Sequence, residues 1–307
     1  MNRESKVAAA RPRRRPGGAL GTPALAASLL ALTGCSPAGL LTQVDRLVAG
    51  GAARKVAVGE RFGADPRQRL DVWAPAGARR PGQALPVVLF FYGGGWNMGS
   101  RGDYGFAGAA YAGNGFIAIV PDYRLVPQVR FPDFVEDGAL AVRWARDNVA
   151  RFGGDPNRIT LAGHSAGAYN AAMLSLDTRF LKSAGVDPKI VRAAALLSGP
   201  YDFYPFTEGR GRAAFGEFAN PLETQPIRFV RRDAPPVFLA HGSNDRVVLP
   251  RNSRLLAERL QQAGAPATLR IYPGAAHVDT VVALSGPFRS RLPVLAESAA
   301  FLERHSR

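Results

Sequence analysis

Short apolar runs alternate with helical stretches along most of this 307-residue chain. The apolar runs lie at 87–91, 116–120, 159–162, 193–197 and 237–240. Continuous apolar runs of this length are typical of strands that are buried on both faces of a sheet. The helical stretches lie at 104–112, 134–149, 166–176, 253–262 and 294–304. This alternation predicts an α/β fold, with a mostly parallel central sheet flanked by helices.

The composition is that of one globular catalytic domain, which we place at residues 60–307. Apolar residues are 47% and charged residues 21% of the chain, so the bulk of it is expected to bury a core. The formal charge of +15 raises the question of nucleic-acid binding, which needs clustered basic side chains. Residues 1–34 hold six basic residues and one acidic residue, and the remaining basic residues are scattered. We therefore expect no nucleic-acid partner.

The N-terminal residues 1–34 have the pattern of a secretory signal peptide. A basic segment at 11–15 precedes an apolar stretch at 24–32, which is too short to span a bilayer. The following Leu-Thr-Gly-Cys resembles the bacterial lipobox, which implies that Cys35 is lipidated and anchors the protein to a membrane of the cell envelope, facing the periplasm. An ordinary signal peptide, giving a secreted or periplasmic protein, and a cytoplasmic protein are the alternatives.

Two segments of the chain do not follow the alternation of apolar runs and helical stretches. Residues 35–59 are small and apolar, and they are interpreted as a tether or as a helix that lies on the domain. Residues 201–232 carry many aromatic side chains among glycines, prolines and arginines, without a regular period. A long irregular segment in a compact domain is often functional, so we predict a small lid-like insertion. The alternative is a surface excursion whose aromatic side chains pack down.

The pentapeptide Gly163-His164-Ser165-Ala166-Gly167 follows one predicted strand and begins a predicted helix. This is the context of a nucleophile elbow, in which a tight turn exposes a serine and leaves no room for bulk two residues before and after it. The helix N-terminus also offers free N–H groups where an oxyanion would form. Ser165 is the predicted nucleophile.

A serine nucleophile needs a base to accept its proton, and the chain has four histidines. His277 follows the apolar segment 268–271 in a glycine-containing loop and is the predicted base, with His241 as its competitor. Asp245 follows the strand at 237–240 and is the predicted acid, which gives the chain order serine, acid, histidine. The weaker acid candidates are Asp202 and Asp279.

Three consecutive glycines, Gly93 to Gly95, follow the strongest predicted strand. Glycines allow backbone N–H groups to approach a ligand closely, which suits an oxyanion hole. A phosphate-binding loop is disfavoured, because neither a following Lys-Ser/Thr pair nor a G-x-G-x-x-G spacing is present.

Taken together, these motifs resemble the esterase branch of the α/β-hydrolase superfamily, which includes bacterial carboxylesterases, relatives of hormone-sensitive lipase and kynurenine formamidases. The resemblance runs from about residue 60 to the end of the chain, although Tyr92 stands where these families usually have histidine. It implies that Gly94, Gly95 and Ala166 donate to the oxyanion, and that Ser165 is acylated and then deacylated by water. It implies no metal and no organic cofactor.

The expected activity is hydrolysis of small carboxylic esters, with short acyl chains favoured. An amidase or arylformamidase would use the same residues and is the first alternative. A catalytically inactive binding protein of the cell envelope is the second. The oligomeric state does not follow from the sequence.

Overall fold

The computed structural model describes Met1 and residues 36–48, 51–77, 84–206 and 209–307. Cys35 and the predicted signal peptide, apart from Met1, lie outside the described residues. The chain divides into two units, Met1–Cys35 and Ser36–Arg307, and the second unit contains all the elements that follow.

A single sheet forms the centre of this unit. Its strands, among the described residues, are β1 (Ala53–Arg61), β2 (Arg69–Pro75), β3 (Leu85–Phe91), β4 (Ile117–Pro121), β5 (Gly154–His164), β6 (Val191–Leu197), β7 (Val237–Gly242) and β8 (Ala267–Tyr272). The spatial order is β1-β2-β4-β3-β5-β6-β7-β8. The β1–β2 and β2–β4 pairs are antiparallel, and every other pair is parallel. The predicted fold class, a mostly parallel sheet with flanking helices, is confirmed.

Helices connect most of the strands. The described ones are α1 (Pro37–Val48), α2 (Gly105–Gly113), α3 (Asp133–Asn148), α4 (Ala166–Leu176), α5 (Thr178–Ser183), α6 (Arg210–Phe215), α7 (Arg251–Gln262), α8 (Asp279–Val282) and α9 (Val294–His305). Among these, none combines the length and the apolar composition that crossing a bilayer requires.

Burial follows the position of each strand in the sheet. The strands β4, β6 and β7 lie inside the sheet and are almost entirely buried, as their apolar runs predict. The edge strands β1 and β8 are only partly buried. Edge strands carry charged side chains that discourage pairing with other molecules. This explains why β1, with its Arg, Lys and Glu residues, has no apolar run and was not predicted.

The segment predicted as a tether, residues 35–59, contributes α1 and most of β1 to the second unit. In α1, the Thr42 hydroxyl donates a hydrogen bond to the carbonyl oxygen of Asp103 (2.6 Å). The Asp45 carboxylate accepts one from the backbone N–H of Gly286 (2.6 Å). These bonds attach the helix to two separate parts of the domain.

The described part of segment 201–232 contains α6 and two short 3-10 turns, at Pro221–Thr224 and Pro226–Phe229, joined by irregular chain. Its aromatic side chains pack onto the domain: the buried ring of Phe215 lies 4.8 Å from that of Trp96 and 5.1 Å from that of Tyr169, between ring centroids. Other residues of the same segment line the cavity above Ser165. The segment is therefore both a packed layer and part of a cavity wall.

Candidate active site

Ser165 lies on a sharp turn between β5 and α4, with backbone angles φ 54° and ψ −121°. Left-handed φ values are costly for residues other than glycine, and they recur at functional sites. The turn is possible because its flanks are glycines: a Cβ on Gly163 would overlap the carbonyl of Gly167, and one on Gly167 would overlap the carbonyl of Phe91. The amide of Ser165 is anchored to the carbonyl oxygen of Leu197 in β6 (2.9 Å).

The structure brings three predicted residues together at the carboxyl edge of the sheet. His277, in the loop after β8, has its Nε2 atom 2.9 Å from Ser165 Oγ. Its Nδ1 atom lies 2.7 Å from Oδ2 of Asp245, in the loop after β7. Because Nδ1 faces a carboxylate, it carries the proton, and Nε2 accepts the serine hydroxyl.

The Asp245 carboxylate is buried but fully hydrogen-bonded. Its Oδ1 atom accepts bonds from the backbone N–H groups of Val247 and Val248, both at 2.9 Å. Burial by itself raises the pKa of Asp245, but hydrogen bonds from His241, His277 and the backbone outweigh burial and hold that pKa well below its ordinary value. Asp245 is therefore an anion at neutral pH.

His241, the competing base, contacts the same carboxylate oxygen of Asp245 as His277 does, and no contact with Ser165 is found for it among the described residues. It is fully buried, with its Nε2 atom 3.1 Å from Asp245 Oδ2 and 2.8 Å from the carbonyl oxygen of Val248. Its Nδ1 atom accepts a bond from the hydroxyl of Ser253 (2.7 Å). The contact between His241 and Asp245 was missed by sequence reasoning, although His241 stands near the end of β7 and Asp245 follows four positions later, in the loop after that strand.

The alternative acids lie elsewhere. The Asp279 carboxylate accepts a bond from the backbone N–H of Ala276 (2.7 Å) and so braces the loop that carries His277. At Asp202, the backbone N–H donates to the Asn252 side chain (3.0 Å). Neither carboxylate is bonded to a histidine in the described part of the chain.

His164, next to the serine, supports the loop of His277. Its Nε2 atom lies 3.0 Å from the carbonyl oxygen of His277, and the two ring centroids are 4.9 Å apart. Burial is the main cause and electrostatic interaction with the neighbouring His277 is the second, and together they lower the pKa of His164 to about 3. His164 is thus neutral at physiological pH and donates from Nε2, while its buried Nδ1 atom has no hydrogen-bond partner among the described residues.

The predicted oxyanion-hole residues Gly94, Gly95 and Ala166 all line one cavity with Ser165. Gly94 and Gly95 have φ values of +132° and +59°, a region that side chains rarely adopt. Among the described residues, the backbone hydrogen bonds use none of the three amide N–H groups. This lack of a backbone partner is what donors of an oxyanion hole require.

Contacts of Tyr92 hold the start of the glycine loop in place. Its hydroxyl donates to the buried Asp122 carboxylate (3.1 Å) and accepts a bond from Arg67 (3.1 Å). Its carbonyl oxygen accepts a bond from the hydroxyl of Tyr123 (2.9 Å), and the two rings stack with centroids 4.6 Å apart. These contacts orient the loop at the position where related families have histidine.

The cavity above Ser165 has a volume of about 620 Å³, within the usual range for small-molecule sites. Its walls come from the glycine loop, from segment 201–232 and from the loops after β7 and β8. Sequence reasoning did not identify Arg210 and Arg251, which also line it. In the described part of the chain, no group of three or more His, Cys, Asp or Glu side chains is placed to hold a metal ion.

The family model described as BD-FAE matches residues 70–260, which is more than half of the chain. The chain belongs to the BD-FAE family. Curated relatives of this BD-FAE member include the esterase LipC of Mycobacterium tuberculosis, 34% identical over 236 residues that cover 70% of this chain and 58% of LipC. The isoprenylcysteine alpha-carbonyl methylesterase ICME of Arabidopsis thaliana is 31% identical, with 71% and 55% coverage. The chain therefore matches somewhat more than half of the length of these relatives.

Solved structures share the fold of this BD-FAE member. Esterase 2 of Thermogutta terrifontis superposes with a TM-score of 0.67 at 27% identity, covering 82% of this chain and 94% of that one. A truncated carbohydrate esterase from gut microbiota gives a TM-score of 0.73 at 20% identity, covering 84% of this chain and 99% of that one. At this level of identity, the second likeness supports the α/β-hydrolase fold alone.

Proposed function

We propose that this BD-FAE family member is a carboxylesterase-type serine hydrolase that uses Ser165, His277 and Asp245. The observation that carries the proposal is the 2.9 Å distance between Ser165 Oγ and His277 Nε2, at the base of a cavity that could hold a small ester. The relatives named esterases agree with this reading.

In the proposed acylation step, Ser165 Oγ attacks the ester carbonyl carbon while its proton moves to His277 Nε2. The resulting imidazolium is stabilised by the Asp245 carboxylate at Nδ1. The carbonyl oxygen becomes an oxyanion and accepts hydrogen bonds from the amides of Gly94, Gly95 and Ala166. One such donor typically contributes about 10²- to 10³-fold to the rate.

The tetrahedral intermediate then collapses. The bond to the alcohol oxygen breaks, and His277 gives its proton to that oxygen, so the alcohol leaves and an acyl ester on Ser165 remains. In the second half of the reaction His277 removes a proton from water, whose oxygen attacks the acyl carbon. The carboxylic acid leaves and Ser165 regains its proton.

Labelling with a fluorophosphonate probe tests this assignment. Attack by an activated serine should displace fluoride and leave the probe covalently attached at Ser165, as found by mass spectrometry of the digested protein. Ser165→Ala, which should fold normally, is the control that should remain unlabelled. Failure of the folded wild-type protein to react at Ser165 would overturn the proposal.

We also propose that the substrates are esters of short acids. Esterase 2 of Thermogutta terrifontis, 26% identical, has been solved with butyrate and with propionate bound. A series of p-nitrophenyl esters from acetate to laurate should show the highest kcat/KM at the short end. N-formylkynurenine serves as the amide comparison, and its faster turnover would favour the arylformamidase alternative.

We propose that residues 1–34 are a signal peptide and that the protein is a lipoprotein anchored through Cys35 in the bacterial cell envelope. The support is the Leu-Thr-Gly-Cys sequence after a basic and an apolar stretch. In bacterial cells, Cys35→Ser should move the protein from the membrane fraction to the soluble fraction, because acyl chains supply most of the membrane affinity. Equal membrane association of both proteins would argue against lipidation.

A further inference from the structure

We propose that Arg210 and Arg251 form a subsite for a carboxylate group of the substrate. The inference rests on the proposed function: the ester cleaved at Ser165 would carry this carboxylate on its acyl or its alcohol part. Both arginines line the cavity that contains Ser165 and His277. They come from different walls, Arg210 from α6 and Arg251 from the start of α7.

Neither arginine has an acidic partner among the described residues. Ion pairs occupy other arginines of the domain, such as Arg124 with Asp137 (2.8 Å) and Arg179 with Asp177 (2.8 Å). Arg210 and Arg251 take part in none of the described ion pairs or side-chain hydrogen bonds, and both are exposed. Within the described part of the chain, no acidic side chain neutralises these two charges, as a subsite for an anion requires.

Arg210 lies close to one of the proposed oxyanion-hole residues. Its side chain lies directly over Gly95: its Nε and Nη1 atoms are each 3.3 Å from the point that a Cβ on Gly95 would occupy. Because Gly95 is a proposed oxyanion donor, a group bound by this guanidinium would lie within a few ångströms of the reacting carbonyl. Arg251 lies close in sequence to Val247 and Val248, which hold Asp245 and line the same cavity.

The remainder of the cavity suits an apolar linker between the ester and the carboxylate. No aspartate or glutamate belongs to its described lining. Phe203, Phe206, Val247 and Val278 also line this cavity. Val247 and Val278 are 72% and 54% exposed. An apolar chain bound in the cavity would cover these two side chains and remove them from water.

Guanidinium groups suit carboxylates because their planar N–H groups can form two parallel hydrogen bonds with the two oxygen atoms. At a solvent-exposed site the gain is modest, and salt screens it. We therefore expect the anionic form of a substrate to be preferred over a neutral isostere by about tenfold in kcat/KM at low ionic strength.

Two matched pairs of substrates test the subsite and show which part of the ester carries the charge. The acyl pair is mono-p-nitrophenyl adipate and the corresponding adipamic ester, which ends in an uncharged amide. The alcohol pair is 4-carboxyphenyl butyrate and 4-carbamoylphenyl butyrate. The wild-type protein should prefer the charged member in at least one pair, and the preference should shrink as salt is added.

Removing the charges should remove the preference. Arg210→Gln and Arg251→Gln should each lower the charged-to-neutral ratio of kcat/KM, and the double variant should bring it close to one. Arg212→Gln in α6 and Arg254→Gln in α7 are matched controls, since each removes an exposed charge from the same helix outside the cavity lining. These controls should retain the wild-type ratio.

A binding measurement separates this inference from the proposed function. In Ser165→Ala, calorimetry should show tighter binding of adipate than of adipamide, with the difference lost in the double arginine variant. A ratio near one in both substrate pairs, or a preference that survives in the double variant, overturns the subsite. Absence of fluorophosphonate labelling overturns the proposed function instead, and adipate binding then decides the subsite by itself.

Discussion

At the scale of single residues, the chemistry depends on how one carboxylate is held. The Oδ2 atom of Asp245 contacts both His277 and the buried His241, and two backbone N–H groups occupy its second oxygen atom. These contacts fix the position of the carboxylate and keep it ionised. This arrangement presents the Nε2 lone pair of His277 to Ser165.

Asp245→Asn should therefore lower kcat by about 10³- to 10⁴-fold, because an amide cannot enforce the Nδ1–H tautomer of His277 or stabilise its charged form. The measurement is kcat for p-nitrophenyl acetate, together with the thermal midpoint to establish folding. Asp202→Asn is the matched control and should retain most of the activity. Equal losses in the two variants would contradict the role proposed for Asp245.

At the scale of elements, the turn between β5 and α4 depends on close backbone approaches. Gly163 lies against Gly167, and Gly167 lies against the end of β3 at Phe91. The same packing brings the first turn of α4 next to the glycine loop after β3. The position of the proposed oxyanion hole is therefore a consequence of two neighbouring strands ending at one edge.

Gly167→Ala should disrupt this arrangement. The added methyl group would overlap the carbonyl of Phe91 and force the helix away from the strand, which we expect to destabilise the fold by about 1–3 kcal/mol. Urea unfolding monitored by circular dichroism gives this free energy, and esterase assays should show an accompanying loss of kcat. Gly77→Ala, where a Cβ meets no atom of the described residues within 4 Å, should leave both nearly unchanged. An unaltered unfolding midpoint in Gly167→Ala would refute the packing argument.

At the scale of the whole molecule, the sheet gathers loops from distant parts of the chain and buries polar groups between them. His164 is one of these groups, held neutral beneath the loop of His277. Its pKa falls from 6.5 in the unfolded chain to about 3 in the folded protein. Between these values the unfolded state binds more protons, so stability is complete above about pH 6.5 and decreases as the pH falls.

This linkage predicts acid sensitivity that can be assigned to one side chain. Between pH 7 and pH 5 the contribution of His164 to the free energy of unfolding should fall by about 2 kcal/mol. Urea titrations of the wild type and of His164→Gln at both pH values give that change as a difference between the two proteins. Asp245, whose pKa lies below its ordinary value, stays ionised throughout this range. A difference that is constant between pH 7 and pH 5 would contradict the assignment.

The sequence by itself determined the fold class and the candidate groups, because the signals involved are local. Apolar runs mark strands that are buried on both faces, and the glycines around Ser165 mark a turn that needs their conformational freedom. The order of Ser165, Asp245 and His277 along the chain then suggested one set of partners. The partly exposed strand β1 left no such signal.

Only the tertiary structure decided which side chains meet. Ser165 and His277 are 112 positions apart, and no local pattern expresses the approach of two loops at one sheet edge. The same holds for the contact of His241 with Asp245, and for the entry of Arg210 and Arg251 into the cavity from separate helices. Such contacts arise because packing of the whole sheet, rather than local propensity, sets the distances between its loops.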